Sequence, residues 1–457
     1  MFEISTAVIL VVSLIGLVVI GVHIAIALGI TSALGIFLVT GADANAFHTV
    51  QAMLAATAYE AIRAYIFAVI PLFMLMGEFI GKSGVVTDVY RGINRMLHRL
   101  PGRLAIATVA GNALFSFVTG VSIASAAAFS RIAYPEMKRH GYDKGFALAA
   151  IAGSSSLGML IPPSVLMIVW GILTEQSIGR LFAAGVIPGL MLAAMFMTYI
   201  FASAALRPSL VGGNFDSGQP GAAGTEADDD YEEVSTGQFL ISLAGILAVV
   251  IAVLGGIWFG VFTPTEAAGA GALIGLALGI IKGMRFRDVI DSILSVGKTS
   301  APILLLLVTA ALYSRTLAMT GMANAIESLF VGSGMAPWMI ITVMVVVWFL
   351  LGMIIDSISI MLLTAAIFAP IAVNIGYDPI AFAIIAIIAI EAGLYTPPFG
   401  LLVFTVKASI QEFEPDMNVM TIFKSSTPYW IIMLLAMGFI INFPKIATYL
   451  PSKLFAG

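Results

Sequence analysis

The sequence has no cysteine and few charged side chains. Without cysteine, the chain cannot form disulfides, thiolate metal sites, iron–sulfur clusters or a cysteine nucleophile. Charged residues make up 10% of the 457 residues, whereas a soluble domain carries roughly 25%. The net charge is −4 and no basic stripe is present, so the composition indicates no nucleic-acid partner. The shortage of charge excludes a water-soluble globule of this size.

Hydrophobic residues make up 60% of the chain and are grouped in long runs. Residues 4–19, 241–259 and 301–312 are examples, and roughly 20 such residues let a helix span a bilayer. The first run follows Glu3 without a basic segment, which is typical of a retained span rather than a cleaved signal peptide. We therefore predict an all-α polytopic membrane protein, whose 45 glycines and 19 prolines allow close packing and breaks.

One polar stretch divides the chain. Residues 207–237 are rich in glycine and contain an acidic run at residues 226–233, a composition that cannot bury a core. We predict a flexible acidic linker there. It joins an N-terminal half, residues 1–206, to a C-terminal half, residues 238–457.

The two halves match each other in register. Gly141-Tyr142-Asp143 recurs 235 residues later as Gly376-Tyr377-Asp378. The same offset relates Pro135 to Pro370, Pro162-Pro163 to Pro397-Pro398, Ser122 to Ser357, and Gly158 to Gly393. A shared register without gaps indicates an internal repeat.

Basic residues are distributed oppositely in the matching loops of the two halves. Residues 82–103 form a basic loop between spans, and the counterpart at residues 319–335 has no lysine or arginine. Residues 282–298 are basic, while the counterpart at residues 41–60 has no lysine or arginine. Because lysine and arginine mark cytoplasmic loops, we predict inverted repeats, as in many secondary transporters. Counting spans places the N-terminus in the periplasm and the linker in the cytoplasm.

Each half also contains a stretch that is too short for two spans. Residues 104–137, about 34 residues, are flanked by basic side chains, although two full spans need roughly 40 residues. A re-entrant helical hairpin over about residues 104–139 satisfies both constraints, and a second is predicted over about residues 336–374. A helix broken at a proline pair follows each hairpin, over about residues 145–173 and 379–408.

The hairpin tips and helix breaks are the predicted ligand sites. Proline breaks free backbone carbonyl groups, and nearby hydroxyls add hard oxygen donors that suit Na⁺. Because each half has one tip and one break, we predict two pseudo-symmetric cation sites. Helix N-termini facing the same space attract a carboxylate, so an anionic substrate is predicted nearby. The alternative is that serine and glycine only permit close packing and that the prolines only kink the helices. Asp356 and Glu391, acids in apolar surroundings, could bind a cation, carry a proton or pair with a neighbour.

Motifs for catalysis are missing from the sequence. No Gly-x-Ser-x-Gly elbow is present, and residues 77–83 are one residue too short for a phosphate-binding loop. Glu266 follows Thr263 at the spacing of a capping box, which predicts a helix start. We predict that the chain is not an enzyme and uses no cofactor, with Na⁺ as its coupling ion.

Five stretches together resemble the large membrane subunit, the M subunit, of tripartite ATP-independent periplasmic (TRAP) transporters. They are residues 71–78 (PLFMLMGE), 161–164 (IPPS), 262–268 (FTPTEAA), 351–357 (LGMIIDS) and 391–400 (EAGLYTPPFG). The resemblance implies an elevator-type carrier of the ion-transporter superfamily, in which a transport domain holding the hairpins slides against a scaffold.

The resemblance also implies ligands and partners. In that family a sodium gradient drives uptake of an organic acid, such as a dicarboxylate or sialic acid, that a periplasmic binding protein (P type) delivers. A small four-helix membrane subunit (Q type) then extends the scaffold, so the resemblance implies such a partner within the lipid of the bacterial inner membrane. The candidate sodium ligands are Ser122, Ser125, Gly153, Ser154, Ser155, Ser156, Gly158, Asp356, Ser357, Ser359, Gly393 and Thr396. The candidate substrate-binding residues are Gly120, Ser122, Pro162, Pro163, Ser357, Pro397 and Pro398.

Two other functions stay open at this point. The chain could be an autonomous sodium- or proton-coupled anion or dicarboxylate carrier that needs no binding protein. It could also be a membrane enzyme or assembly scaffold that transports nothing. The repeat argues against the last function, because alternating access uses paired halves and catalysis does not.

Overall fold

The computed structural model describes residues 2–212, 235–321 and 334–455. Most of the predicted acidic linker, residues 213–234, lies outside these ranges, as do residues 322–333 of the second half. The helix after the linker begins at Thr236, two residues inside the predicted linker boundary. The division of the chain into domains stays a prediction.

The N-terminal half is built from helices joined by short turns. Its helices are α1 Phe2–Val19, α2 Ile24–Val39, α3 Ala44–Arg63, α4 Val69–Lys82, α5 Val85–Met96, α6 Arg103–Thr119, α7 Ser122–Arg139, α8 Lys144–Ser155, α9 Leu157–Leu160, α10 Val165–Leu173 and α11 Ile178–Leu206.

The described part of the C-terminal half is also helical. Its helices are α12 Thr236–Val250, α13 Gly256–Trp258, α14 Pro264–Ile281, α15 Phe286–Met319, α16 Pro337–Gly352, α17 Ser357–Asn374, α18 Pro379–Gly393, α19 Leu401–Ser409, α20 Val419–Asn442 and α21 Lys445–Leu454. A π-helical segment, Ile251–Gly255, joins α12 to α13.

Within the described ranges, eight helices are long and apolar enough to cross a membrane. An isolated bridge between Tyr142 and Val211 is the sole β-type pairing in the same residues. The predicted all-α polytopic class is therefore confirmed.

The repeated Gly-Tyr-Asp sequence forms the same turn in both halves. Gly141 and Gly376 end a helix with φ of +71° and +88°, a region that glycine enters without steric cost. Asp143 then accepts a hydrogen bond from the Phe146 amide at 2.8 Å, capping α8. Asp378 likewise accepts from the Ala381 amide at 3.0 Å, capping α18.

The predicted helix start at Thr263 is confirmed. The Thr263 amide donates to Glu266 Oε2 at 2.8 Å, and the Glu266 amide donates back to Thr263 Oγ1 at 3.3 Å. Pro264 occupies the first helical position, where its missing amide proton costs no hydrogen bond.

A first group of helices packs across the two halves without contributing to the hairpins or breaks. Helix α14 packs on α4, α15 on α2, α3 and α4, and α12 on α5. Two ion pairs join the halves here, Asp88 with Lys282 and Glu60 with Arg315. Ser242 also donates to Asp88 at 2.6 Å. We call these helices, α1–α5 and α12–α15, the outer group.

A second group, α6–α11 and α16–α21, holds the hairpins and breaks, and its halves are interlocked. The second arm of the first hairpin, α7, packs on α19, which follows the second break. Reciprocally, α17 of the second hairpin packs on α10, which follows the first break. The buried rings of Trp170 and Trp348 lie 6.4 Å apart between these halves. We call these helices the inner group.

An ion-pair cluster ties the inner group together outside the membrane-spanning segments. Glu414, in the loop after α19, lies 2.7 Å from the Lys138 ammonium at the end of α7. It also accepts a hydrogen bond from Lys144, at the start of α8, at 2.7 Å. The two lysines hold the pKa of Glu414 at about 2, below its ordinary value of 4.5.

This cluster gives a prediction about stability. Glu414→Gln should lower the free energy of unfolding at pH 7 by about 1 kcal/mol, because both lysines are partly exposed to screening water. The folded pKa lies below the unfolded value, so this stabilisation is complete above pH 4.5 and disappears as the pH falls towards 2. Thermal unfolding of the purified subunit at several pH values measures the difference. The exposed Glu412, changed to Gln, is the control, and an equal effect there would contradict the assignment.

Candidate ligand site

The tip of the first hairpin contacts the first helix break directly. Helix α6 ends at Thr119 and is capped by Gly120, whose φ is +62°, and α7 begins at Ser122. The Val165 amide, at the start of α10, donates to the Gly120 carbonyl at 3.1 Å. A Cβ atom at Gly120 would lie 2.5 Å from the Pro163 carbonyl oxygen. The tip and the break therefore form one backbone junction.

The first break lies where proline was expected to interrupt the helix. The segment predicted as a broken helix consists of α8, α9 and α10, and Pro162-Pro163 has a cis peptide bond. Ser164 donates to the Met159 carbonyl at 2.5 Å and caps α10. A Cβ atom at Gly158 would lie 3.0 Å from the Val121 carbonyl carbon and 3.1 Å from the Ser122 amide nitrogen. Gly158 is thus needed for the close approach of the hairpin tip.

The second break repeats this arrangement. Residues 394–400 separate α18 from α19, and Pro397-Pro398 is also cis. The Phe399 amide donates at 3.1 Å to the Met353 carbonyl at the second hairpin tip. A Cβ atom at Gly393 would lie 2.6 Å from the Phe349 carbonyl oxygen, so the break packs on the hairpin arm α16.

Equivalent serines of the two tips meet at one carboxyl group. Ser357, the first residue of α17, donates to Glu391 Oε1 at 2.7 Å, and both residues are buried. Ser122, the first residue of α7, lies beside the same carboxyl group. Neither the Ser122 hydroxyl nor Glu391 Oε2 has a hydrogen-bond partner, although both are buried. The structure thus places Glu391 between the two tips. Of the roles left open for it, pairing with a neighbour is visible in the bond from Ser357.

The serines of the first break are buried and turned towards their own helix. Ser154, Ser155 and Ser156 donate to the carbonyls of Ala150, Ala152 and Gly153 at 2.7, 2.6 and 2.8 Å. A hydroxyl that donates in this way keeps its lone pairs, so these oxygens remain able to bind a cation.

Two side chains at the first break were missed by the sequence reasoning. Asn112 donates to Ser154 Oγ at 2.6 Å, and its own Oδ1 is buried without a partner. The Tyr395 hydroxyl, from the second break, donates to the Ala152 carbonyl at 2.9 Å and to the Gly153 carbonyl at 3.3 Å. The Gly153 carbonyl is therefore already engaged. Tyr395 gave no signal because its repeat-related position, Leu160, is apolar.

The remaining candidate ligands occupy the tips and the second break. Ser125 is buried and lies 3.4 Å from the Thr119 hydroxyl. Thr396 is buried and donates to the Gly393 carbonyl at 2.6 Å. Asp356 is half-buried and caps α17 by accepting from the Ser359 amide at 3.0 Å. Asp356 therefore pairs with a neighbouring backbone amide as a helix cap, which is one of the roles left open for it.

The candidate substrate residues are not equally accessible. Pro162 and Pro163 are buried, whereas Pro397 and Pro398 are exposed. An open cavity of about 490 Å³ lies beside the second tip, between Asp356 and the exposed ring of Phe399. The candidates therefore divide between an enclosed first break and an open second break.

The chain is similar over most of its length to a known family of membrane transport proteins. The family described as "Tripartite ATP-independent periplasmic transporter, DctM component" matches residues 11–446. The C4-dicarboxylate TRAP transporter large permease protein DctM of Pseudomonas aeruginosa is 32% identical, over 88% of this chain and 90% of that protein. The ectoine TRAP transporter large permease protein TeaC of Halomonas elongata is 29% identical, over 97% and 98%.

A third relative is the isethionate TRAP transporter permease protein DctMQ of Oleidesulfovibrio alaskensis. It is 28% identical, over 84% of this chain and 58% of that protein.

Among solved structures, the YdaH transporter of Alcanivorax borkumensis has a TM-score of 0.63 at 15% identity, covering 89% of this chain and 90% of that chain. This likeness shows that the two chains share a fold. The named relatives are transporter permeases rather than enzymes, which agrees with the prediction that this chain is not an enzyme. The chain belongs to the DctM family, the large permease component of tripartite ATP-independent periplasmic transporters.

Proposed function

We propose that this chain is the permease subunit of a sodium-coupled secondary transporter that imports an organic acid. The observation that carries the proposal is the meeting of Ser122 and Ser357 at the Glu391 carboxyl group, with two buried oxygen atoms left unpaired. Unpaired buried oxygens are rare because each costs free energy, so a ligand at this point is expected. Equivalent residues of inverted halves meet where a carrier needs its ligand.

The donor set supports Na⁺ as the coupling ion. Hydroxyl, carbonyl and carboxyl oxygens surround both breaks, and hard cations prefer oxygen ligands. The described residues contain no group of three His, Asp or Glu side chains that could hold a metal ion. A monovalent cation with mostly neutral oxygen ligands fits this chemistry better than a divalent metal.

Helix N-termini support an anionic substrate. Helices α7 and α17 begin at Ser122 and Ser357, so their positive ends meet beside Glu391. A cation bound there would add to the attraction for a carboxylate. We propose an organic acid as the substrate class, with Gly120, Pro162 and Pro163 on the enclosed side and Pro397 and Pro398 on the open side.

The two groups of helices support an elevator mechanism. The outer group is joined across the halves by its own ion pairs, and the inner group contains the hairpins, the breaks and the Glu414 cluster. In the proposed mechanism the inner group is the transport domain and moves against the outer group. The ligand moves with the inner group because its site is built from that group alone.

The proposal also covers partners and location. A tripartite transporter has two further components, proposed as a small four-helix membrane subunit and a periplasmic binding protein that delivers the substrate. The DctMQ name of one relative supports the membrane partner. We place the chain in the bacterial inner membrane, with a periplasmic N-terminus and a cytoplasmic linker.

Reconstitution in liposomes tests this proposal. The chain, its membrane partner and its binding protein should take up substrate when an inward sodium gradient is imposed, and not with potassium in its place. Omitting the binding protein should reduce uptake to background. Sodium-driven uptake without the binding protein would establish the autonomous carrier instead. Uptake that ignores the cation gradient would reject sodium coupling.

A further inference from the structure

The Glu391 carboxyl group lies beside two hairpin tips that come from different halves of the chain. Its Oε1 accepts from Ser357 at 2.7 Å, and its Oε2 has no partner. The unpaired Ser122 hydroxyl lies beside it. All three residues are 5% exposed or less.

The repeat does not make this arrangement symmetric. The position equivalent to Glu391 in the first half is Ser156, 235 residues earlier. Ser156 donates to the Gly153 carbonyl of its own segment at 2.8 Å. One acid therefore stands where the symmetry would give two, and it lies between the equivalent serines of both tips.

A carboxyl group is suited to this position. Its two oxygens accept several hydrogen bonds at once, whereas a hydroxyl donates one. Ser122 and Ser357 are each the first helical residue after a tip, so a bond to either hydroxyl fixes the start of a hairpin arm.

We propose that Glu391 is a positioning residue that couples the two hairpin tips. Ser357 orients the carboxyl group through Oε1. Oε2 is then placed to accept a hydrogen bond from Ser122 when the first tip closes on it. Loss of either bond loosens both tips, so the tips open and close together. This inference rests on the proposed transport function, because the coupling of the tips matters for transport only if the site between them binds the ligand.

The absence of cysteine makes the coupling measurable without a substrate. A reporter cysteine at Ile123, 36% exposed at the first tip, reacts with a maleimide at a rate that reports the freedom of that tip. A second reporter at Leu100, 37% exposed and away from both tips, reports general loosening. The purified full-length subunit is used throughout.

Ser357→Ala, a change in the second half, should raise the reaction rate at residue 123 at least about threefold. Glu391→Ala should raise the rate by a similar factor, and the double variant should react no faster than either. Glu391→Gln keeps an acceptor oxygen and should stay within about twofold of the parent. The reaction rate at residue 100 should be unchanged in all of these variants. Thr405→Ala is the control variant, because the Thr405 hydroxyl donates to the Leu401 carbonyl within its own helix, and it should leave the rate at residue 123 unchanged.

Two outcomes overturn the proposal. One is an unchanged rate at residue 123 in Ser357→Ala, and the other is multiplication of the Ser357→Ala and Glu391→Ala effects in the double variant. If Glu391→Ala fails to assemble, the Ser357→Ala and Glu391→Gln arms still decide. The reaction needs neither sodium nor substrate, so its failure is distinguishable from a failure of sodium-driven uptake.

Discussion

Gly120→Ala should lower sodium-driven uptake by about tenfold or more, since 1.4 kcal/mol already corresponds to tenfold. The substitution places a Cβ atom 2.5 Å from the Pro163 carbonyl oxygen, which belongs to backbone and cannot rotate away. Overpacking of this kind costs about 1–3 kcal/mol. Alanine at a φ of +62° adds about 1–2 kcal/mol. The junction between the first tip and the first break should therefore separate.

The measurement is initial uptake by the reconstituted three-component transporter, with the assembled amount of each variant checked by size-exclusion chromatography. Gly376→Ala is the matched control, because Gly376 has a φ of +88° but open space around it. It should show the backbone cost without the contact cost and keep most of the uptake. Equal losses in the two variants would mean that the tip contact is unimportant.

Gly393→Ala should have a similarly large effect in the second half. Its Cβ atom would lie 2.6 Å from the Phe349 carbonyl oxygen and 2.7 Å from the Gly352 Cα atom. Both neighbours are backbone, so α16 must move away from α18, at about 1–3 kcal/mol. Uptake should fall about tenfold. Gly438→Ala, in a helix with nothing near its Cβ position, should be neutral or slightly stabilising. A neutral Gly393→Ala would contradict the packing at the second break.

Local features of the site could be read from the sequence because they depend on neighbouring residues. The proline pairs placed both breaks, the Gly-Tyr-Asp repeats placed two turns with their caps, and Thr263 with Glu266 placed a helix start. Each depends on residues within a few positions of one another, so spacing and backbone preference are sufficient.

Long-range contacts could not be read in this way. Tyr395 reaches the Ala152 carbonyl across 243 positions, and the repeat conceals it because its equivalent is a leucine. The sequence showed that Asp356 and Glu391 are acids in apolar stretches. It did not show that Asp356 caps a helix while Glu391 accepts a hydrogen bond from Ser357 at the second tip. Those roles depend on how the hairpins meet.

We propose that both halves of the chain contribute to sodium binding. Equilibrium binding of ²²Na⁺ to the purified subunit, compared between the parent, Ser122→Ala and Ser357→Ala, tests it most directly. We expect saturable sodium binding that potassium does not displace and that each substitution weakens. Absence of saturable binding, or binding that both substitutions leave unchanged, would contradict it.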